Sequence, residues 1–190
     1  MEQQTVIEQP AAKKANPGPL GLLGFGMTTI LLNLYNDGIF GMNIMIAAMG
    51  IALGGAAQIV AGFWEFKNGN TFGGTAFTAY GFFWWSLVLI WWNPLGLDSA
   101  SETAMGFYLL IWFIFTAFMF VGALKHNTIT KIVFGSLTLL FLLLSIADFS
   151  DVHAIKIVAG AVGILCGLSA IYSAVAQIVN NEHGKKILPT

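Results

Sequence analysis

The chain is 190 residues long, 57% hydrophobic and only 9% charged, with a formal net charge of −1 and no arginine. A soluble domain carries about a quarter of its residues as charges, so this composition excludes one and specifies an integral membrane protein. Near-neutral charge without basic clusters argues against a nucleic-acid binder.

Residues 1–15 hold Glu2, Glu8, Lys13 and Lys14 without an apolar core, which reads as a disordered tail rather than a cleaved signal peptide. The stretch Asn16-Pro17-Gly18-Pro19-Leu20-Gly21-Leu22 then opens the apolar sequence. Asparagine is a favoured N-cap and proline fits the first helical turn. Gly18, Gly21, Gly24 and Gly26 follow closely, and each glycine costs a helix interior roughly 1 kcal/mol relative to alanine. A helix that keeps them needs close backbone approach.

A membrane span needs about 20 apolar residues. Charged residues divide this chain into six such runs, at 20–36, 39–64, 72–94, 104–124, 131–147 and 156–179. The fifth is the shortest, and its length predicts a tilted or partly re-entrant span. Short connections leave no room for an extramembrane domain, so 16–182 is a single six-helix transmembrane domain and 183–190 a short tail. The expected fold is an all-α membrane protein. Seven of the eight lysines (13, 14, 67, 125, 131, 185 and 186) fall on one side of the six spans, against Lys156 alone on the other. The positive-inside rule therefore places both termini in the cytoplasm.

A faint internal repeat accompanies the spans. Asn70-Thr71 precedes Tyr80 by the same interval as Asn127-Thr128 precedes Leu137, and Asn16 stands nearly as far ahead of Phe25. Each asparagine lies at the cytoplasmic start of an odd-numbered span, placed to cap it. The pattern predicts three helical hairpins in a pseudo-three-fold bundle, with the path of any transported molecule at the repeat axis.

No metal site, cofactor or enzyme chemistry is implied. The histidines, His126, His153 and His183, lie in or beside loops and read as solvated. No ligand-spaced His, Cys or carboxylate cluster is present, and the single Cys166 reads as a small buried hydrophobe. What remains is a set of weakly polar groups inside the spans. Phe25, Thr29 and Asn33 are spaced at i, i+4 and i+8 and share a helix face, with Thr28 beside them. Thr78 belongs to the third span, Ser136 and Thr138 to the fifth. Such groups either face a water-filled path or tie helices together. Gln58, deep in the second span, has the same two readings. Glu65 adjoins that span; it reads as an interfacial acid paired with Lys67 or as a carrier of a co-transported proton. With no arginine and no lysine deep in a span, an anion would be held weakly, by hydroxyls, amides and helix-terminal N–H groups. Gly50 and Gly54, and Gly163 and Gly167, have the spacing of close helix packing. Trp84, Trp85, Trp91 and Trp92 read as an outer aromatic belt or a lipid- or neighbour-facing surface.

The signature Asn16 to Leu22 resembles that of the SatP-type acetate and succinate permease family, with Gly18 where that family usually has alanine. The resemblance continues through Gly24-Phe25-Gly26-Met27-Thr28-Thr29, Gly69-Asn70-Thr71-Phe72-Gly73, Ala76 to Gly81 and Cys166 to Tyr172. It implies a multi-pass protein of the cytoplasmic membrane that carries acetate and related small carboxylates, succinate among them. It also implies a homohexamer with one path per subunit. That path would be narrowed by Phe25, Tyr80 and Leu137, and Ala170 would match a further substrate-path position. The alternative expectation is a pore for water or small neutral solutes, and a scaffold without transport ranks last.

Overall fold

A computed structural model describes residues 14–190, so the tail expected over 1–15 lies almost wholly outside the described residues. Among the described residues, six helices are long and apolar enough to cross a membrane. They are α1 (Gly18–Asn36), α2 (Ile44–Lys67), α3 (Thr71–Trp92), α4 (Glu102–Ala123), α5 (Thr128–Ser150) and α6 (His153–Glu182). No strand occurs among the described residues. The fifth span is not short. Its 23 residues give a rise of roughly 35 Å, enough to cross the hydrocarbon core. The sequence estimate stopped at Lys131 and Asp148, both of which lie inside the helix.

Asparagine caps set the helix starts on one side. Asn70 Oδ1 accepts from Gly73 N at 3.0 Å, and Asn127 Oδ1 from Thr130 N at 2.9 Å. At α1 the N-cap position belongs to Pro17. Asn16, one residue earlier than expected, still accepts from Gly18 N at 3.0 Å.

The helices form a ring in chain order, and α6 returns to pack along α1. Lipid gives helices no hydrophobic reason to associate, so small residues and side-chain hydrogen bonds carry the packing. At the α1–α6 crossing, a Cβ added to Gly26 would come within 2.7 Å of Gly167 O, and one added to Gly167 within 2.7 Å of Gly26 O. Backbone touches backbone there, and only glycine permits it.

Each seam of the ring has a cross-helix hydrogen bond. Thr28 donates to Met49 O (3.4 Å), Trp85 to Ile51 O (3.0 Å), and Tyr80 to Thr116 Oγ1 (3.0 Å). Ser145 donates to Gly106 O (2.9 Å), Cys166 to Val133 O (3.5 Å), and Asn16 to Gln177 Oε1 (2.9 Å). At the α3–α4 seam the backbones stay further apart, and aromatic rings fill the gap. Phe83 packs edge-on to Trp112 at 5.0 Å, and Tyr80 on Phe115 at 5.6 Å.

Helix α2 is not α-helical throughout. Its Gly50–Ala57 segment winds as a π-helix. Two of its glycines make room for rings: Cβ atoms at Gly54 and Gly55 would collide with Trp84 and Trp85. Trp84 is therefore a core residue, 2% exposed, and only Trp92 among the four tryptophans is strongly exposed, at 70%. Beyond α6 the tail is pinned back. Tyr172 Oη donates to Pro189 O at 2.8 Å, and Asn180 Oδ1 accepts from the Ile187 and Leu188 amides at 2.7 and 2.8 Å.

Candidate functional site

The capped starts of α1, α3 and α5 surround one cavity of about 260 Å³. Asn16, Asn70, Asn127 and His126 stand at its exposed rim; Gln58 and Glu65 line its wall; Phe25, Tyr80 and Leu137 line it deepest along their helices. His126 lies against the Phe72 ring at 4.6 Å, so it edges the cavity instead of standing free in a loop. Glu65 is buried and accepts from Asn70 Nδ2 at 2.8 Å. Lys67 does not pair with it; its Nζ lies over the Trp64 ring, 4.4 Å from the centroid.

A small chamber of about 30 Å³ follows, lined by Phe25, Thr29, Leu32, Asn33, Tyr80, Phe83, Trp84, Leu137 and Leu144 among others. Phe25, Tyr80 and Leu137 border both this chamber and the first cavity. All three are nearly buried, at 6, 3 and 3% exposure, and the Phe25 and Tyr80 ring centroids are 6.1 Å apart. The helix face predicted for Phe25, Thr29 and Asn33 is thus the one that lines the chamber. Asn33 back-bonds to Thr29 O at 2.8 Å, accepts from Asn36 at 3.1 Å, and sits where Gly163 leaves room for it.

At the far end lies a second cavity of about 260 Å³, lined in part by Tyr35, Asn36, Trp91, Glu102, Asp148 and Lys156. Leu32, Phe83 and Leu144 border both it and the chamber. The three cavities are therefore strung end to end with two apolar tiers between them. The second tier escaped the sequence reading. Its signal was present, since Leu32 and Leu144 follow Phe25 and Leu137 by seven residues each, two turns along the same face.

Several predicted residues sit elsewhere. Thr28, Thr78, Ser136, Thr138 and Ala170 line none of these three cavities. Thr28 serves the α1–α2 seam, and Thr78 lies against Gly62 between α2 and α3. Ser136 and Thr138 donate to carbonyls of their own helix, to Ile132 O and Phe134 O at 2.7 Å each. Ala170 is fully buried in the core. Of the signature, Asn16, Gly18 and Leu22 line the first cavity; Gly21 makes room for the Phe77 ring. Pro17 and Pro19 shape the helix start, and Leu20 is exposed.

The sequence profile of the GPR1/FUN34/yaaH family matches residues 2–190. A protein of Escherichia coli named succinate-acetate/proton symporter SatP is 53% identical over 179 residues, covering 93% of this chain and 95% of that one. The ammonia transport outward protein 2 of Saccharomyces cerevisiae is 38% identical over 183 residues, covering 92% of this chain and 65% of its own. A solved structure described as the bacterial acetate channel SatP superposes with a TM-score of 0.92 at 52% identity, over 93% of this chain and 99% of that one.

Proposed function

The chain belongs to the GPR1/FUN34/yaaH family, and from that footing we propose that it moves acetate and related small carboxylates, succinate included, across the cytoplasmic membrane. The observation that supports the reading is the end-to-end series of cavities, with Phe25, Tyr80 and Leu137 bordering both the first cavity and the chamber. These residues form the selectivity constriction, and their apolar surfaces reject hydrated ions while passing a molecule the size of acetic acid. The capped ends of α1, α3 and α5 draw carboxylates to the inner mouth, because helix N-termini favour negative charge. Thr29 and Asn33 supply polar contacts beyond the constriction. Their weak bonding suits passage, since conduction needs a site that releases readily.

Transport, not catalysis, is the activity assigned, and the lysine asymmetry puts both termini in the cytoplasm. The assembly is a homohexamer with a path in each subunit. The bare apolar side of α4, where Phe107, Ile111 and Phe118 are 57, 67 and 74% exposed, supports a lipid- or subunit-facing role. Glu65, buried at the inner vestibule and held by Asn70, is the residue assigned to proton exchange with the substrate.

The test is uptake of radiolabelled acetate into proteoliposomes with and without an inward proton gradient, alongside swelling in glycerol or urea. Acetate flux above protein-free vesicles, without glycerol or urea flux, is the expected result. Swelling without acetate flux would establish the neutral-solute pore in its place.

A further inference from the structure

Gln58 follows directly on the π-wound segment and lines the inner vestibule beside Phe25 and Tyr80. It is 1% exposed, yet neither its Oε1 nor its Nε2 has a hydrogen-bond partner among the described residues. A buried amide that forgoes both bonds loses stability, and natural structures rarely retain one without a use.

The neighbouring polar groups are already engaged. Asn16, Asn70 and Asn127 each hold a helix-terminal N–H with their side-chain oxygen. The Tyr80 hydroxyl donates across the seam to Thr116. Among the described residues no lysine lines the vestibule; the other titratable groups that face it are Glu65, from the same helix, His126, from the turn before α5, and Tyr80. A carboxylate reaching Gln58 meets no lysine among the described residues. It offers only acceptors, so one oxygen takes Nε2–H while the other is pressed towards Oε1.

We propose that Gln58 binds the undissociated acid, its Oε1 accepting the acid O–H while its Nε2 donates to the acid carbonyl. Amide and acid then close a two-bond ring with every polar atom satisfied. The residue reads protonation state at the entrance to the constriction. The carboxylate takes up one proton in the vestibule, crosses as a neutral molecule, and gives that proton up on the far side. Each transit therefore carries one proton and no net charge. This inference rests on the carboxylate reading of the path.

The experiment uses two competitors of acetate uptake in proteoliposomes. Acetamide reproduces the donor and acceptor of the acid but has no acidic proton; methanesulfonate is a permanent anion of similar size. Acetamide is expected to inhibit at a concentration at least about tenfold below methanesulfonate, the effect of one well-formed hydrogen bond. In Gln58→Met, acetate flux and acetamide sensitivity both fall, by about tenfold for the same reason. Methanesulfonate inhibition equal to or stronger than that of acetamide would overturn the proposal. So would a folded Gln58→Met with unchanged flux and unchanged acetamide sensitivity. Should that variant fail to fold, competition on the unaltered protein decides between the two charge states by itself. Absence of acetate flux from the unaltered protein would remove the transport reading and this inference together, whereas flux with the wrong competition pattern removes this inference alone.

Discussion

Tyr80 donates its hydroxyl to Thr116 Oγ1 at 3.0 Å, and Thr116 donates onward to the Trp112 carbonyl at 2.7 Å. The phenol is thus tied to α4 at the seam where the two backbones lie furthest apart, and its ring is held at the border of two cavities. Tyr80→Phe keeps the ring and deletes the tie. Its expected cost is about 1 kcal/mol of stability, seen as a lower melting temperature in detergent, together with weaker discrimination between acetate and larger acids.

Leu137 and Leu144 stand two turns apart on α5, one in each apolar tier. Leu137→Ala is expected to raise lactate uptake relative to acetate. Leu144→Ala alone changes the ratio little, because the first tier still excludes the larger acid; the double variant exceeds Leu137→Ala. Relative uptake of the two labelled acids by the three variants measures this. An unchanged lactate-to-acetate ratio in Leu137→Ala would remove the constriction assignment.

Gly167→Ala places a methyl 2.7 Å from Gly26 O. A backbone carbonyl cannot swing aside as a side-chain tip can, so α1 and α6 must separate. Overpacking of this kind costs typically 1–3 kcal/mol, and we expect a correspondingly depressed unfolding temperature. Because α1 carries Phe25, the same variant should also alter uptake.

Glu65→Gln preserves size and an oxygen to accept from Asn70. Proton exchange at this position predicts that the variant loses most gradient-driven accumulation of acetate while equilibrium exchange across the vesicle membrane continues. Accumulation equal to the unaltered protein would assign Glu65 to structure alone.

Lys156 shares the second cavity with Asp148 and Glu102, and its Nζ lies 5.8 Å from the centre of the Tyr35 ring. A single cation at a mouth acts mainly on the encounter rate and is screened by salt. Lys156→Gln is expected to lower the initial rate of acetate entry from that side about two- to fivefold at low ionic strength. The effect should fade in high salt, and initial rates across a salt series check it.

Much of this architecture is legible in the sequence. Composition and charge placement located all six spans, and the spacing from Asn70 to Tyr80 and from Asn127 to Leu137 pointed to caps on equivalent helices, whereas the choice of Phe25, Tyr80 and Leu137 came from the family resemblance. Helix ends were misjudged where Lys131, Asp148 and Lys156 lie inside helices, because long charged or polar side chains near a span end can still reach the interface. Which hydroxyls face a path was not legible. Helices in lipid are apolar on the outside as well as the inside, so periodicity separates the faces poorly, and Thr78 and Thr138 carry no mark that sets them apart from Thr29. The isolation of Gln58 is likewise a three-dimensional fact; a glutamine inside an apolar run reads the same whether paired or not.

The π-wound segment between Gly50 and Ala57 has a consequence for how this path can change over time. A wider turn alters the angular phase of everything after it, so Gln58 and Glu65 face the vestibule partly because of how many residues precede them. A residue added or lost within 50–57 that the winding does not absorb would turn both side chains by about 100° around the helix axis, away from the vestibule, without substituting either. The polar chemistry of α2 is therefore encoded in residue count as much as in residue identity, and single insertions or deletions there offer a route to new specificity that point mutation does not.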